Sequence, residues 1–189
     1  MALPPQDSTL GLPLPLVARA GHARKPSPVE EEVIVLFDQL RDRLLRYLLS
    51  FGLSVHDGEE IIQEVFLALF QHLQRGKPRH NLRSWVFRVG HNLALKHRQS
   101  SRRNAAGTPE DLCLADTRLN PEQQLVSSQR QERLQAVLGA LPEQDRLCLC
   151  LRAEGLRYRE ITEILGMSLG SVSVSLVRSL ARLSRADER

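Results

Sequence analysis

Aromatic side chains are scarce in this 189-residue chain, with one Trp, two Tyr and five Phe making up 4% of it. A β-sandwich or barrel of this size draws on more aromatic and β-branched material. The composition therefore tilts towards helices of Leu, Arg, Glu, Gln and Ala. No run of about 18 uncharged apolar residues occurs, so no segment qualifies as a membrane-spanning helix. The opening MALPPQDSTLGLPLPLV is apolar, but four prolines break it and no basic residue precedes it. A secretion signal needs a charged start and a continuous apolar run, so the expectation is a cytoplasmic protein with no membrane partner. Cysteine is rare as well. Cys113, Cys148 and Cys150 are odd in number and lack metal-ligand spacing, and they read as small apolar residues in a reducing compartment. No Ser-His-Asp, metal or phosphate-loop constellation supports an enzyme, and no cofactor is expected.

What is present is ordinary globular material, 42% apolar and 25% charged, with a net charge of +4. Six of the ten prolines fall within residues 1–28, which predicts an extended arm unable to bury enough surface to offset its ordering entropy. From Val33 the pattern changes. Val33, Phe37, Leu40, Leu44, Leu48 and Phe51 recur at helical steps, and Gly52 sits where that helix would stop. Asp57 with Glu60 reads as a capping box for a second helix, whose buried stripe is Ile61, Ile62, Val65, Phe66, Leu69 and Leu73. Gly76-Lys77-Pro78 ends it. Asn81 can cap a third helix with an apolar side of Leu82, Trp85, Val86, Val89 and Leu93, running to about Arg98.

Residues 100–120 lose the period and read as a flexible linker. Asn120-Pro121-Glu122-Gln123 restarts a helix in the order cap, proline, acid, and that helix carries Leu125, Leu134, Val137 and Leu138 to Gly139. Pro142 opens the next helix and Gly155 closes it. Two more follow, Tyr158 to Leu165 and Leu169 to about Ser184. The predicted fold is all-α: a three-helix domain over residues 29–99 and a four-helix domain over 121–189, joined by the linker.

Charge is distributed unevenly. Residues 75–103 hold nine Lys or Arg and no Asp or Glu, with His80, His91, His97, Trp85 and Phe87 among them. Cations interleaved with aromatics suit a nucleic-acid surface, where charge meets phosphate and rings can stack on unpaired bases. A merely solvated cationic face would look the same, and Trp85 also fits the core stripe. Just before this stretch the sign reverses, with Asp57, Glu59, Glu60 and Glu64 on the first turns of the second helix. Glu60 and Glu64 share a face with Gln63 beside them, which suits protein docking better than chemistry.

The second domain ends in a helix, a short Gly166-Met167-Ser168 turn and a Ser-capped helix, the pattern of a helix-turn-helix. Ile161, Leu165 and Met167 on one side and Val172, Leu176, Leu180 and Leu183 on the other would fill its core. Ser171, Ser173, Ser175 and Arg178 are expected to face outwards. A plain helical hairpin is the alternative.

These segments resemble the extracytoplasmic-function sigma factors of bacterial RNA polymerase. HDGEEIIQEVFLALF is similar to the family's polymerase-docking helix, with Gln63-Glu64-Val65-Phe66 as its core. NLRSWVFRVGHNLALKHRQSSRR is similar to its promoter-melting helix. LPEQDRLCLCLRAEGLRYREITEILGMSLGSVSVSLVRSLARL is similar to its promoter-reading domain. The resemblance implies docking on the beta-prime coiled-coil of core polymerase through Asp57, Glu60, Gln63, Glu64 and Phe66, with the beta flap as a second contact. It implies a minus-ten surface of Arg75, Lys77, Arg79, His80, Asn81, Arg83, Ser84, Trp85, Arg88, His91, Asn92 and Lys96. It implies that Ser168, Ser171, Ser173, Ser175 and Arg178 read the minus-thirty-five element, and that an anti-sigma factor is a further partner. The protein itself would catalyse nothing. Three departures stand out: Ser173 and Ser175 where the family commonly has Lys and Arg, Thr162 for a usual Ala, and Lys96 for a usual Asp. Serines release no counterions, so minus-thirty-five affinity and its salt dependence are expected to be low. A stand-alone helix-turn-helix regulator is the alternative; it would self-associate and bind duplex DNA without polymerase.

Overall fold

The computed structural model describes residues 25–104 and 132–187, and the secondary structure among them is helical throughout. Residues 1–24 of the proline-rich arm, most of the linker, the Asn120-Pro121 helix start, Leu125 and Cys113 lie outside the described residues.

Helix α1 spans Pro28–Leu49 and begins five residues before the apolar period predicts. Its start is set by polar chemistry. The Ser27 side chain accepts from the Glu30 backbone N–H, the Glu30 carboxylate accepts from the Ser27 N–H, and Pro28 occupies the first helical position. Helix α2 covers Val55–Gln74. Its cap is Ser54, whose hydroxyl accepts from the Asp57 N–H at 3.1 Å and donates to the Asp57 carboxylate. This corrects the expected Asp57–Glu60 capping box: Asp57 is the third helical residue rather than the cap. Helix α3 runs from Leu82 to Asn104, beyond the expected end near Arg98. No Gly or Pro interrupts Gln99-Ser-Ser-Arg-Arg-Asn, so the helix outlasts its apolar stripe, and residues 100–104 belong to it rather than to the linker. Asn81 precedes it in the left-handed region at φ 56°, and its carbonyl accepts the first helical bond from Trp85 N–H.

These three helices enclose Leu44, Tyr47, Leu48, Ile62, Val65, Leu69 and Phe87, all essentially inaccessible. Each such side chain contributes about 1.5–3 kcal/mol of burial. Helices α1 and α3 approach closely at Gly90, where an added Cβ would lie 2.9 Å from Leu44 Cδ1.

After helical residues 132–139 (α4), α5 spans Glu143–Ala153, α6 Tyr158–Leu165 and α7 Leu169–Asp187. Leu147, Cys148, Leu151, Leu156, Ile161, Val172 and Leu176 form their core. Leu180, expected inside, is 52% exposed. The two cysteines face different neighbours, as helical spacing requires. Cys148 Sγ lies 3.6 Å from Met167 Sδ, whereas Cys150 lines a cavity of about 290 Å³ beside Ser50 and Tyr47. Both are free thiols, and burial pushes both up from the usual thiol range.

The two helical groups meet through a set of arginines. Glu154, at the end of α5, is buried between Arg43 Nε at 2.6 Å and Arg46 Nη2 at 3.2 Å, both on α1. Arg83 Nη2 donates to the Gly155 carbonyl at 3.0 Å, and Arg146 Nε donates to the Ser50 carbonyl at 3.0 Å. Arg98 pairs with Glu143 and lies over the Phe51 ring.

Candidate nucleic-acid interface

The turn from α2 to α3 is built to stay open on its outer side. Gly76 takes φ 64°, Lys77 N–H donates to the His72 carbonyl, and a His72 ring nitrogen lies 3.1 Å from the Pro78 carbonyl. With the backbone tied inwards, Arg75, Lys77, Arg79, His80 and Asn81 are left exposed. Arg79 makes an ion pair with Glu32 at 2.9 Å. The Trp85 ring sits half-buried, 4.9 Å from the His72 ring. A shallow cavity of about 270 Å³ opens between His72, Pro78, His80, Asn81, Ser84, Trp85 and Arg88, with Glu163 of α6 on its far wall.

Along α3 the exposed residues Arg88, Asn92 and Lys96 recur at four-residue steps and form one stripe. Three residues expected on this surface point elsewhere. His91 is buried, with its Nδ1 2.9 Å from the Tyr47 hydroxyl, and burial holds its pKa below the ordinary imidazole value. It belongs to the α1–α3 core because it falls on the same helical face as Phe87 and Ala94. Ser84 is buried one turn before Phe87. Arg83 is half-buried and committed to the Gly155 carbonyl.

On α2, Glu60, Gln63 and Glu64 are exposed as one strip, and Asp57 at its start is half-buried against Ser54 and His97. Phe66, expected in the docking set, is buried edge-on against Phe37 at 4.9 Å and holds α2 to α1 instead. The residue that sequence reasoning missed is Leu67, 58% exposed on the same strip. It stands outside the stripe of Ile61, Ile62, Val65, Phe66 and Leu69, and that offset was the available signal.

The second group holds a helix-turn-helix. Gly166 closes α6 at φ 66°, the Ser168 hydroxyl accepts from the Ser171 N–H, and α6 and α7 meet at 105°. The outer face of α7 differs from expectation. Ser171 is exposed and Ser173 half-buried, but Ser175 is buried and donates to Asp145 at 2.7 Å. Serines at alternate positions step about 200° round a helix and cannot all face out, and Ser175 falls between the buried Val172 and Ser179 on the inner face. Arg178 is half-exposed and donates twice to Asp145, from Nε at 2.9 Å and Nη2 at 2.7 Å. Val174 and Val177, which the sequence reading passed over, are 61% and 67% exposed.

Among the described residues no group of three or more His, Cys, Asp or Glu is placed to hold a metal ion, and no single helix is long and apolar enough to cross a membrane.

Residues 36–104 match the family Sigma-70 region 2, and residues 131–183 match Sigma-70, region 4. The ECF RNA polymerase sigma factor ShbA of Streptomyces griseus is 34% identical over 147 residues, covering 73% of this chain and 75% of that one. The ECF RNA polymerase sigma factor SigE of Mycolicibacterium smegmatis is 33% identical over 151 residues; the match covers 78% of this chain but spans only 58% of that relative's length. Among solved structures, the sigma factor RpoE of Bartonella quintana, determined with the anti-sigma factor NepR, superposes at a TM-score of 0.61 with 16% identity, covering 82% and 96% of the two chains. The fold, the order of the two matched regions and these relatives agree: the chain belongs to the extracytoplasmic-function group of the sigma-70 family of RNA polymerase sigma factors.

Proposed function

We propose that this sigma factor docks on core polymerase through the α2 strip of Glu60, Gln63, Glu64 and Leu67, and holds melted promoter DNA on the α2–α3 turn and the Arg88–Asn92–Lys96 stripe. The observation that carries this reading is the abrupt reversal of charge. An acidic strip on one helix gives way to 29 residues with nine cations and no acid, and the exposed members of that run line one turn and one helix face. A surface for a protein and a surface for polyanions thus lie side by side. Duplex reading then falls to the helix-turn-helix, with Ser168, Ser171, Ser173, Val174 and Arg178 nearest its open face. The beta flap is a further polymerase contact. An anti-sigma factor is a further partner, in keeping with the NepR complex of the Bartonella quintana protein. The protein works in the cytoplasm and catalyses no reaction of its own.

In this reading residues 29–104, with α3 complete, and 121–189 act as separable modules joined by a linker over 105–120. Elements centred near minus ten and minus thirty-five are about 25 base pairs apart, roughly 85 Å at ~3.4 Å per step. Helices α3 and α6 are in contact here. Both elements can be held together only after the arginine contacts to Glu154, Gly155 and Glu143 have parted.

The test is Glu64→Lys. The residue is exposed on α2, so the fold should survive, while binding to purified core polymerase should fall by more than about tenfold through like-charge repulsion and a lost contact. Unchanged core affinity would remove the docking assignment. Duplex binding by the free chain with no affinity for core would favour a stand-alone regulator.

A further inference from the structure

The contact between Asp145 and Arg178 carries an inference about how α7 reads sequence, and it rests on the helix-turn-helix reading above. Asp145 is on the first turn of α5, 33 residues from Arg178, and is 2% exposed. Its carboxylate accepts from Arg178 Nε and Nη2 and from Ser175 Oγ. A guanidinium has five N–H groups in one plane. This pairing consumes the side edge, one hydrogen each from Nε and Nη2. It leaves the end edge, one hydrogen each of Nη1 and Nη2, free of hydrogen bonds among the described residues, with the last Nη1 hydrogen on the far side. That edge belongs to a half-exposed side chain lining an open groove of about 500 Å³ with Gln144, Ser168, Ser171 and Val174.

Two parallel donors on a fixed plane match two adjacent acceptors, and the major-groove edge of guanine offers O6 and N7 in that arrangement. We propose that Asp145 is a positioning residue that pins Arg178 so that its free edge reads a guanine in the upstream promoter element. The pinned fork has less rotamer freedom to lose on binding. Because the pair is neutral overall, its contribution appears as base discrimination, with little counterion release. A contact that only fastened α5 to α7 would support every base position alike.

The experiment uses the full-length chain assembled with core polymerase and a library of duplexes with a randomised upstream segment, sequencing the retained fraction. The wild-type holoenzyme should prefer guanine at one position by roughly five- to a hundredfold over the other bases. Asp145→Asn, Asp145→Glu and Arg178→Lys should each lose that preference and keep the preferences at other positions, and Asp145→Asn combined with Arg178→Lys should lose no more than either alone. Arg178→Lys keeps the charge, so the salt dependence of binding should be unchanged. Ser175→Ala removes one hydrogen bond from Asp145, spares the arginine pair, and should retain the guanine preference. Circular dichroism on every variant separates loss of fold from loss of reading. Persistence of the guanine preference in a folded Asp145 variant would overturn the inference, as would an equal loss at every position. A wild-type holoenzyme that initiates transcription yet selects no upstream sequence would instead sink the helix-turn-helix reading, and this inference with it.

Discussion

Helices α3 and α7 both present an outward face, and the two faces are chemically opposite. The α3 stripe is Arg88, Asn92 and Lys96, polar throughout and continuous with the exposed cations of the preceding turn. Over its first three turns the α7 face is Ser171, Val174, Val177 and Leu180, and the one cation there, Arg178, is already paired with a buried carboxylate; Arg182 and Arg185 follow only towards the end of the helix. A cationic face binds a polyanion by releasing counterions, so it attracts strongly, at long range and with little regard to sequence. A face of small and apolar groups gains little from charge and must rely on shape, methyl contacts and a few fixed hydrogen bonds. In the proposed function one helical group would supply affinity and the other discrimination. The low minus-thirty-five affinity expected from Ser173 and Ser175 would have a second source: Ser175 is a core residue and Arg178 is neutralised in place.

That contrast can be broken at either end. The largest effect should come from replacing Arg88 and Asn92 with alanine together. Open-complex formation should fall by more than about tenfold while core binding is retained, since hydrogen bonds to charged groups contribute ~1.5–3 kcal/mol each. Permanganate footprinting of the melted strand, set against a core pull-down, checks this. The salt dependence should shift with it: Arg88→Ala should lower the log–log slope by about 0.7–0.9 and Arg178→Ala should barely move it. Equal slopes for the two variants would erase the distinction between the faces.

The contact that joins the two groups is next in size. Glu154→Ala leaves Arg43 and Arg46 without their carboxylate and should weaken the packed arrangement by about 2 kcal/mol, between the values typical of exposed and buried pairs. Small-angle scattering should show a larger radius of gyration for this variant, and high salt should expand the parent chain in the same direction.

Acid should separate the groups in a different order. Burial depresses the pKa of His91 in the first group, so its neutral form is favoured in the folded state. That stabilisation is complete above the unfolded value of about 6.5 and is lost as pH falls through the lower folded value. In the second group the Arg178 hydrogen bonds, helped by Ser175 and opposed by burial, hold Asp145 below the usual carboxylate range. Its contribution is complete above about pH 3.9 and is lost only as pH falls through its folded value. Thermal melts between pH 3 and 7 should therefore show the first group weakening before the second, and a reversed order would contradict these assignments. The smallest expected effect is at Ser179, whose hydroxyl is buried without a hydrogen-bond partner. Ser179→Ala should stabilise the chain by about 1 kcal/mol in a denaturant titration.

The helices themselves were legible from residue order. Periodic leucines place α1, α2 and α3, Gly166 and Ser168 place the turn before α7, and the charge run marks the cationic surface, because each of these signals acts within a few residues along the chain. Element ends were less legible. The Ser27–Glu30 box and the Ser54 cap are polar devices lying outside the apolar stripe, and α3 persists where nothing breaks it. Which face of a helix a given side chain occupies was decided by tertiary packing. His91 faces Tyr47 rather than DNA, Phe66 faces Phe37 rather than a partner, and Ser175 faces Asp145 rather than solvent. In each case the decisive neighbour lies 29 to 44 residues away in sequence. A helical period says that a stripe exists, but only the opposing element decides where its edge falls. The same holds for Arg83, Arg98 and Arg178: the sequence determines that they are cations, and the fold determines that Gly155, Glu143 and Asp145 already hold them.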